Sequence, residues 1–120
     1  MLKYLLDEHV SHAYRQQLLR REPSLAVCII GDPGAPPRGA LDPELLLWCE
    51  REDFVIVTNN RSTMPGHLAD YLAQGRHMPG IFILNPSMSF GDTIEELLLL
   101  ATASIEGEFH DKITFLPYKG

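Results

Sequence analysis

The chain has 120 residues, of which 45% are hydrophobic and 22% charged, and its net charge is −6 with a pI near 5.2. That length suits one domain spanning residues 1–120 and is too short for two ordinary ones. The acidic balance argues against a generic nucleic-acid binder, and no apolar run is long enough to cross a bilayer.

The chain opens with "MLKYLLDEHV". Leu2–Leu6 reads as a strand, and Asp7 and Glu8 follow it at once. A signal peptide needs a longer apolar run and a small-residue cleavage site, so a cytoplasmic protein that keeps its first strand is expected. Adjacent residues at a strand end point in different directions, so at most one of the two carboxylates faces a central crevice. Asp7 is the candidate for function. Glu8 is divided evenly between function and a favourable place at the positive end of the next helix. Ser11–Arg21 reads as that helix, and Ala26–Ile30 as a second strand.

"GDPGAPPRGA", Gly31 to Ala40, is punctuated by Gly and Pro and reads as an internal loop. At about ten residues it exceeds the ~2–6 usual in α/β units. It has no P-loop lysine, and no dinucleotide-binding glycine pattern follows the first strand. No serine sits in a nucleophile elbow.

Pro43–Glu52 reads as a helix. Asp42 before Pro43 is expected to be its N-cap, with a second oxygen left over for another role. Glu44 favours the helix dipole. Phe54–Thr58 is a third strand, and it ends in "TNN", Thr58 to Asn60. Asn suits a turn there, and its amide oxygen is also a neutral ligand for a hard cation. Thr58 is placed to hydrogen-bond an acid or a water.

Gly66–Gln74 reads as a helix capped by Ser62 or Thr63, with His67 and Asp70 taken as surface residues. Gly80–Leu84 is a fourth strand, Thr93–Ile105 a longer helix and Lys112–Leu116 a fifth strand. His9 and His12 have a zinc-compatible spacing, but no third His or Cys completes a set. Cys28 and Cys49 lie in apolar segments outside any C-x-x-C pair and read as buried thiols in a reducing compartment.

Strands alternating with helices imply an α/β fold: a three-layer α/β/α arrangement around a mostly parallel five-stranded sheet. Runs such as "VCII", "VIV" and "IFIL" fit strands buried on both faces. Right-handed crossovers then bring every strand's carboxyl end to one edge, where the chemistry is expected. A phosphoacceptor receiver is set aside, because its acceptor Asp would fall where Thr58-Asn59-Asn60 stands.

"LLDEH", "ALDPELLLWCEREDFVIVTNN" and "RSTMP", within Leu5 to Leu84, resemble the PIN-like proteins, a compact branch of the PIN nuclease superfamily often predicted to be toxins of toxin–antitoxin pairs. The resemblance implies strand order 2-1-3-4-5, with Asp7 and Asn60 converging. It implies a metal-dependent ribonuclease using Mg²⁺ or Mn²⁺, with RNA as substrate and an antitoxin protein as partner. Asp7 and Asp42 match two acidic positions of the family, Glu8 its acidic neighbour, and Asn60 stands where the family carries a third Asp. Asp7, Asp42 and Asn60 are then the implied metal ligands, with Thr58 orienting water or a carboxylate. One charge fewer, at ~4 Å and an effective dielectric of about 20, is a loss of several kcal/mol before desolvation. The alternative is an inactive PIN-like interaction module. Leu97 to Leu100 cover more than one helix face, which fits either a homodimer or a helix buried on two sides.

Overall fold

The computed structural model describes residues 1–119. Five strands, β1 (Tyr4–Leu6), β2 (Val27–Ile29), β3 (Val55–Thr58), β4 (Ile81–Ile83) and β5 (Ile113–Phe115), form one sheet in the order β2-β1-β3-β4-β5. Every pairing is parallel, with Leu6 opposite Val57, Thr58 opposite Ile83 and Ile83 opposite Phe115. Four helices connect them: α1 (Ala13–Arg21), α2 (Asp42–Glu52), α3 (Met64–Ala73) and α4 (Phe90–Ala103). No helix among the described residues is long and apolar enough to cross a membrane.

The period-2 alternation of the strands divides the interior into two cores. Tyr4, Leu6, Ile29, Val55, Val57 and Phe82 pack on one side with Leu18 of α1 and Ile94, Leu97 and Leu100 of α4. Leu5, Ile56, Ile81 and Ile83 pack on the other with Leu45, Leu46 and Trp48 of α2 and Met64, Leu68 and Tyr71 of α3. The result is the expected three-layer arrangement.

The handedness departs from expectation at one crossover. α1 and α4 cover the same face, yet β1 to β2 and β4 to β5 run in opposite directions across a parallel sheet. The two connections therefore have opposite hands, against the strong rule for such crossovers. The reason lies in burial, because α1 alone would leave most of that five-stranded face open to water. α4 closes it by reaching back to β1, where Leu97 O accepts the Tyr4 hydroxyl at 2.7 Å and Ala101 O accepts the Leu2 amide at 3.1 Å.

The leucine run of α4 is mostly absorbed by this packing. Leu97 and Leu100 are buried and Leu98 packs against the core, so Leu99 alone, 60% exposed, is left in water. The surplus that suggested a homodimer is thus largely a helix seated on a core. α4 also begins earlier than its apolar pattern, at Phe90, because Ser89 Oγ caps it by accepting the Asp92 amide at 3.0 Å.

Candidate functional site

In a sheet of this order the chain turns left from β1 and right from β3, so a crevice opens between their carboxyl ends. Asp7 continues β1 with the parity of Leu5, and Thr58 ends β3 with the parity of Ile56. Both are therefore directed to the face covered by α2 and α3. The first turns of those helices reach the same edge, carrying Asp42 and His67.

A continuous chain of hydrogen bonds joins these elements. Thr58, fully buried, donates its hydroxyl to Asp7 Oδ2 at 2.6 Å. The Asn60 amide N–H donates to Thr58 Oγ1 at 3.0 Å. Asn60 Nδ2 donates to Asp42 Oδ2 at 3.3 Å and to Thr63 Oγ1 at 2.6 Å. His67 Nε2 lies 3.3 Å from the same Asp42 oxygen. Asp7, Thr58, Asn60 and Asp42 are thus linked in one hydrogen-bonded chain. An open cavity of about 190 Å³ lies beside them, lined by Asp7, His9, Val10, Thr58, Asn59 and Asn60.

Glu8 has a different place. Asp7 Oδ1 accepts the Glu8 amide at 2.7 Å, and the Glu8 side chain turns away to accept the Gly39 amide at 2.7 Å. It pins the Gly31–Ala40 loop instead of facing the crevice. Within that loop Gly31 holds φ +99°, and a Cβ there would meet the Arg38 side chain at a tight 3.3 Å.

Asp42 is not the helix cap expected of it. Leu41 takes the cap position in extended backbone, so Asp42 and Pro43 fall in the first turn. The carboxylate, relieved of capping, is free to face Asn60 and His67. Thr63 likewise occupies a cap position without a side-chain cap bond, because its hydroxyl accepts Asn60 Nδ2 at 2.6 Å while Asn60 Oδ1 takes its amide N–H at 3.1 Å.

That last bond fixes the orientation of the Asn60 amide. Thr63 N only donates, so the oxygen faces Thr63 and the NH₂ faces Asp42. Hard divalent cations take oxygen ligands, and Mg²⁺ is commonly held by one or two carboxylates with the rest of its shell water. Asp7 and Asp42 fit that requirement. Asn60, as oriented, presents a donor instead and would have to give up the Thr63 amide to become a ligand. Among the described residues no group of three or more His, Cys, Asp or Glu side chains is arranged to hold a metal.

In comparisons with known proteins, no family model, no curated protein and no solved structure matches this chain. The site's chemistry therefore rests on its own geometry.

The sequence pattern assigns His67 to the surface, whereas the structure sets it against Asp42. Its signal was its place two residues after Pro65, in the first turn of a helix that opens at the functional edge. Cys49 lies beneath the site, where burial and then the Asp7 charge push its thiol far up, leaving it inert. Cys28 and Cys49 are both free. A larger cavity of about 440 Å³ sits at the opposite edge, against Lys3, Asp53, Ile105 and Phe109. It has no hydrogen-bonded carboxylate cluster, so the smaller cavity is the candidate site.

Proposed function

We propose that this chain is a PIN-like, divalent-metal-dependent ribonuclease with a weakened acidic site. The observation that supports it is the hydrogen-bonded chain that links Asp7 to Asp42 through Thr58 and Asn60 at the carboxyl edge of the sheet. Asp7 and Asp42 would hold Mg²⁺ or Mn²⁺, which supplies an activated water and neutralises phosphate charge. Thr58 holds Asp7 Oδ2 and the Glu8 amide holds Oδ1, and each oxygen keeps a lone pair for the cation. Asn60 holds Asp42 in place and satisfies part of its charge through hydrogen bonds. The free thiols suit a reducing, cytoplasmic setting.

A second reading is an inactive PIN-like module that pairs with an antitoxin protein or a second copy. It is favoured by the Asn60 NH₂ and His67, which surround the Asp42 carboxylate where a cation would otherwise balance it.

Calorimetric titration with Mn²⁺ separates the two. The nuclease reading expects weak binding by the wild type and at least about tenfold tighter binding by Asn60→Asp, which is ~1.4 kcal/mol. Asp7→Asn should abolish binding, and RNA cleavage should follow the same order. An Asn60→Asp protein that melts normally but gains no Mn²⁺ affinity would put the interaction module first.

A further inference from the structure

We infer that Arg61 and Phe115 form a subsite for one nucleotide of a single-stranded nucleic acid, with the phosphate on the guanidinium and the base on the ring. The inference rests on reading the carboxyl edge as a nucleic-acid site, and it adds the group that positions the strand.

The register carries the geometry. Asp7 follows Leu6, which pairs with Val57, so Asp7 stands level with Thr58. Thr58 pairs with Ile83 and Ile83 with Phe115. Asp7, Thr58, Ile83 and Phe115 thus form one row across the sheet, all directed to the α2/α3 face. Strands lie ~4.8 Å apart, so the aromatic ring stands roughly 10–14 Å from the Thr58–Asp7 pair.

Phe115 is 49% exposed although its strand neighbours Thr114 and Leu116 are buried. It ends an edge strand, and α3 does not extend over it. An exposed phenyl ring at the level of an acidic crevice offers a flat stacking surface.

Arg61 spans the gap. Its amide donates to Asn59 O at 3.0 Å, which fixes its backbone beside Asn60. Its guanidinium reaches the Phe115 ring, 5.8 Å from the centroid. The chain has 16 acidic and 10 basic residues, and Arg15, Arg21, Arg51 and Arg76 all pair with carboxylates. Arg20, Arg38 and Arg61 have no such partner among the described residues, and of these three Arg61 alone lies over an aromatic ring. An arginine free of carboxylate partners, next in sequence to Asn60 and over an exposed ring, is matched in charge to a phosphate. Cation and aromatic together are the two elements that bind single strands without reading sequence.

The test is fluorescence anisotropy in EDTA at low salt, with a labelled RNA of about eight nucleotides, a DNA of the same sequence and an RNA duplex. The wild type should bind both single strands and not the duplex. Arg61→Ala and Phe115→Leu should each weaken binding about tenfold, the scale of one stacked base or one phosphate contact. Phe115→Tyr, which keeps the ring, should bind as the wild type does. Arg20→Ala, which removes an exposed charge on α1, should also leave binding unchanged.

The inference is overturned if the wild type binds no single strand, if the duplex binds equally, or if neither Arg61→Ala nor Phe115→Leu has an effect while melting normally. Should strand binding depend on both residues while Asn60→Asp gains neither Mn²⁺ affinity nor cleavage, the subsite stands and the nuclease reading falls. Should RNA be cleaved with an unchanged KM in Arg61→Ala and Phe115→Leu, the nuclease reading stands and the subsite falls.

Discussion

The Asn60 side chain makes one bond that a carboxylate could not reproduce, its donation to Asp42, since the Thr63 hydroxyl can turn to donate. It donates to Asp42 and to Thr63 Oγ1 and accepts the Thr63 amide. Asn60→Asp keeps the last of these and turns the first into a contact between two acids. Losing a donor to a half-buried carboxylate costs roughly 1–3 kcal/mol. In EDTA the variant should therefore melt below the wild type, and Mn²⁺ should restore its midpoint if the two carboxylates share the ion. A midpoint in EDTA equal to that of the wild type would show that the Asn60–Asp42 bond contributes nothing. Asp53 offers a contrast, as it closes α2 in left-handed backbone at φ 61° and ψ 51°. Glycine is the residue suited to that position, so Asp53→Gly should stabilise the chain by up to about 1 kcal/mol in a urea titration.

At the scale of elements, α4 decides what the leucine run means. Leu97 is fully buried between α4 and the sheet, and Leu99 faces water. Leu97→Ala should destabilise by about 2–5 kcal/mol, whereas Leu99→Ala should stay within about 0.5 kcal/mol. Equal losses in chemical denaturation would mean that Leu99 is covered in solution and would revive the dimer. The strands were legible because "VIV" and "IFIL" are apolar runs too short for helices and too apolar for one-sided strands, whereas their order was expected only from the resemblance. Helix starts were less so. Ser89 lies outside the periodic pattern of α4, and Asp42 looked like a cap because Asp-Pro is the usual signal, whereas the chain caps with Leu41. Of the candidate site, the linked residues Asp7, Asp42, Thr58 and Asn60 were singled out from strand ends and motif order. Glu8's turn to Gly39 and His67's approach to Asp42 depend on how a loop and a helix settle on the sheet. Local sequence does not encode that.

Across the whole molecule, a second polar network sits at the opposite edge and ties α2, α3, β4 and β5 together. Glu50 accepts from Tyr71, Arg76 and the His77 amide, and Asp111 binds the His77 ring and the Met78 amide. The Asp111 hydrogen bond raises the His77 pKa above its ordinary 6.5. Burial opposes the Asp111 charge, but His77 and the Met78 amide outweigh it and hold that carboxyl below 3.8. The Tyr71 hydroxyl leads in holding Glu50 below 4.5. A raised His77 contributes stability that is complete below pH ~6.5 and fades as pH climbs through its folded value. The lowered carboxyls contribute stability that is complete above about pH 4.5 and fades as pH falls through theirs. The network is therefore strongest between those limits. Melting midpoints across pH 4 to 9 should decline on the alkaline side, and His77→Asn should flatten that decline. Asp111→Asn, which tolerates the left-handed backbone at φ 61°, should flatten both sides. His77 lies far from the Asp7 edge, so neither variant should alter Mn²⁺ affinity. An alkaline decline that survives His77→Asn unchanged would assign it to another group and leave this clamp without a part in the pH dependence.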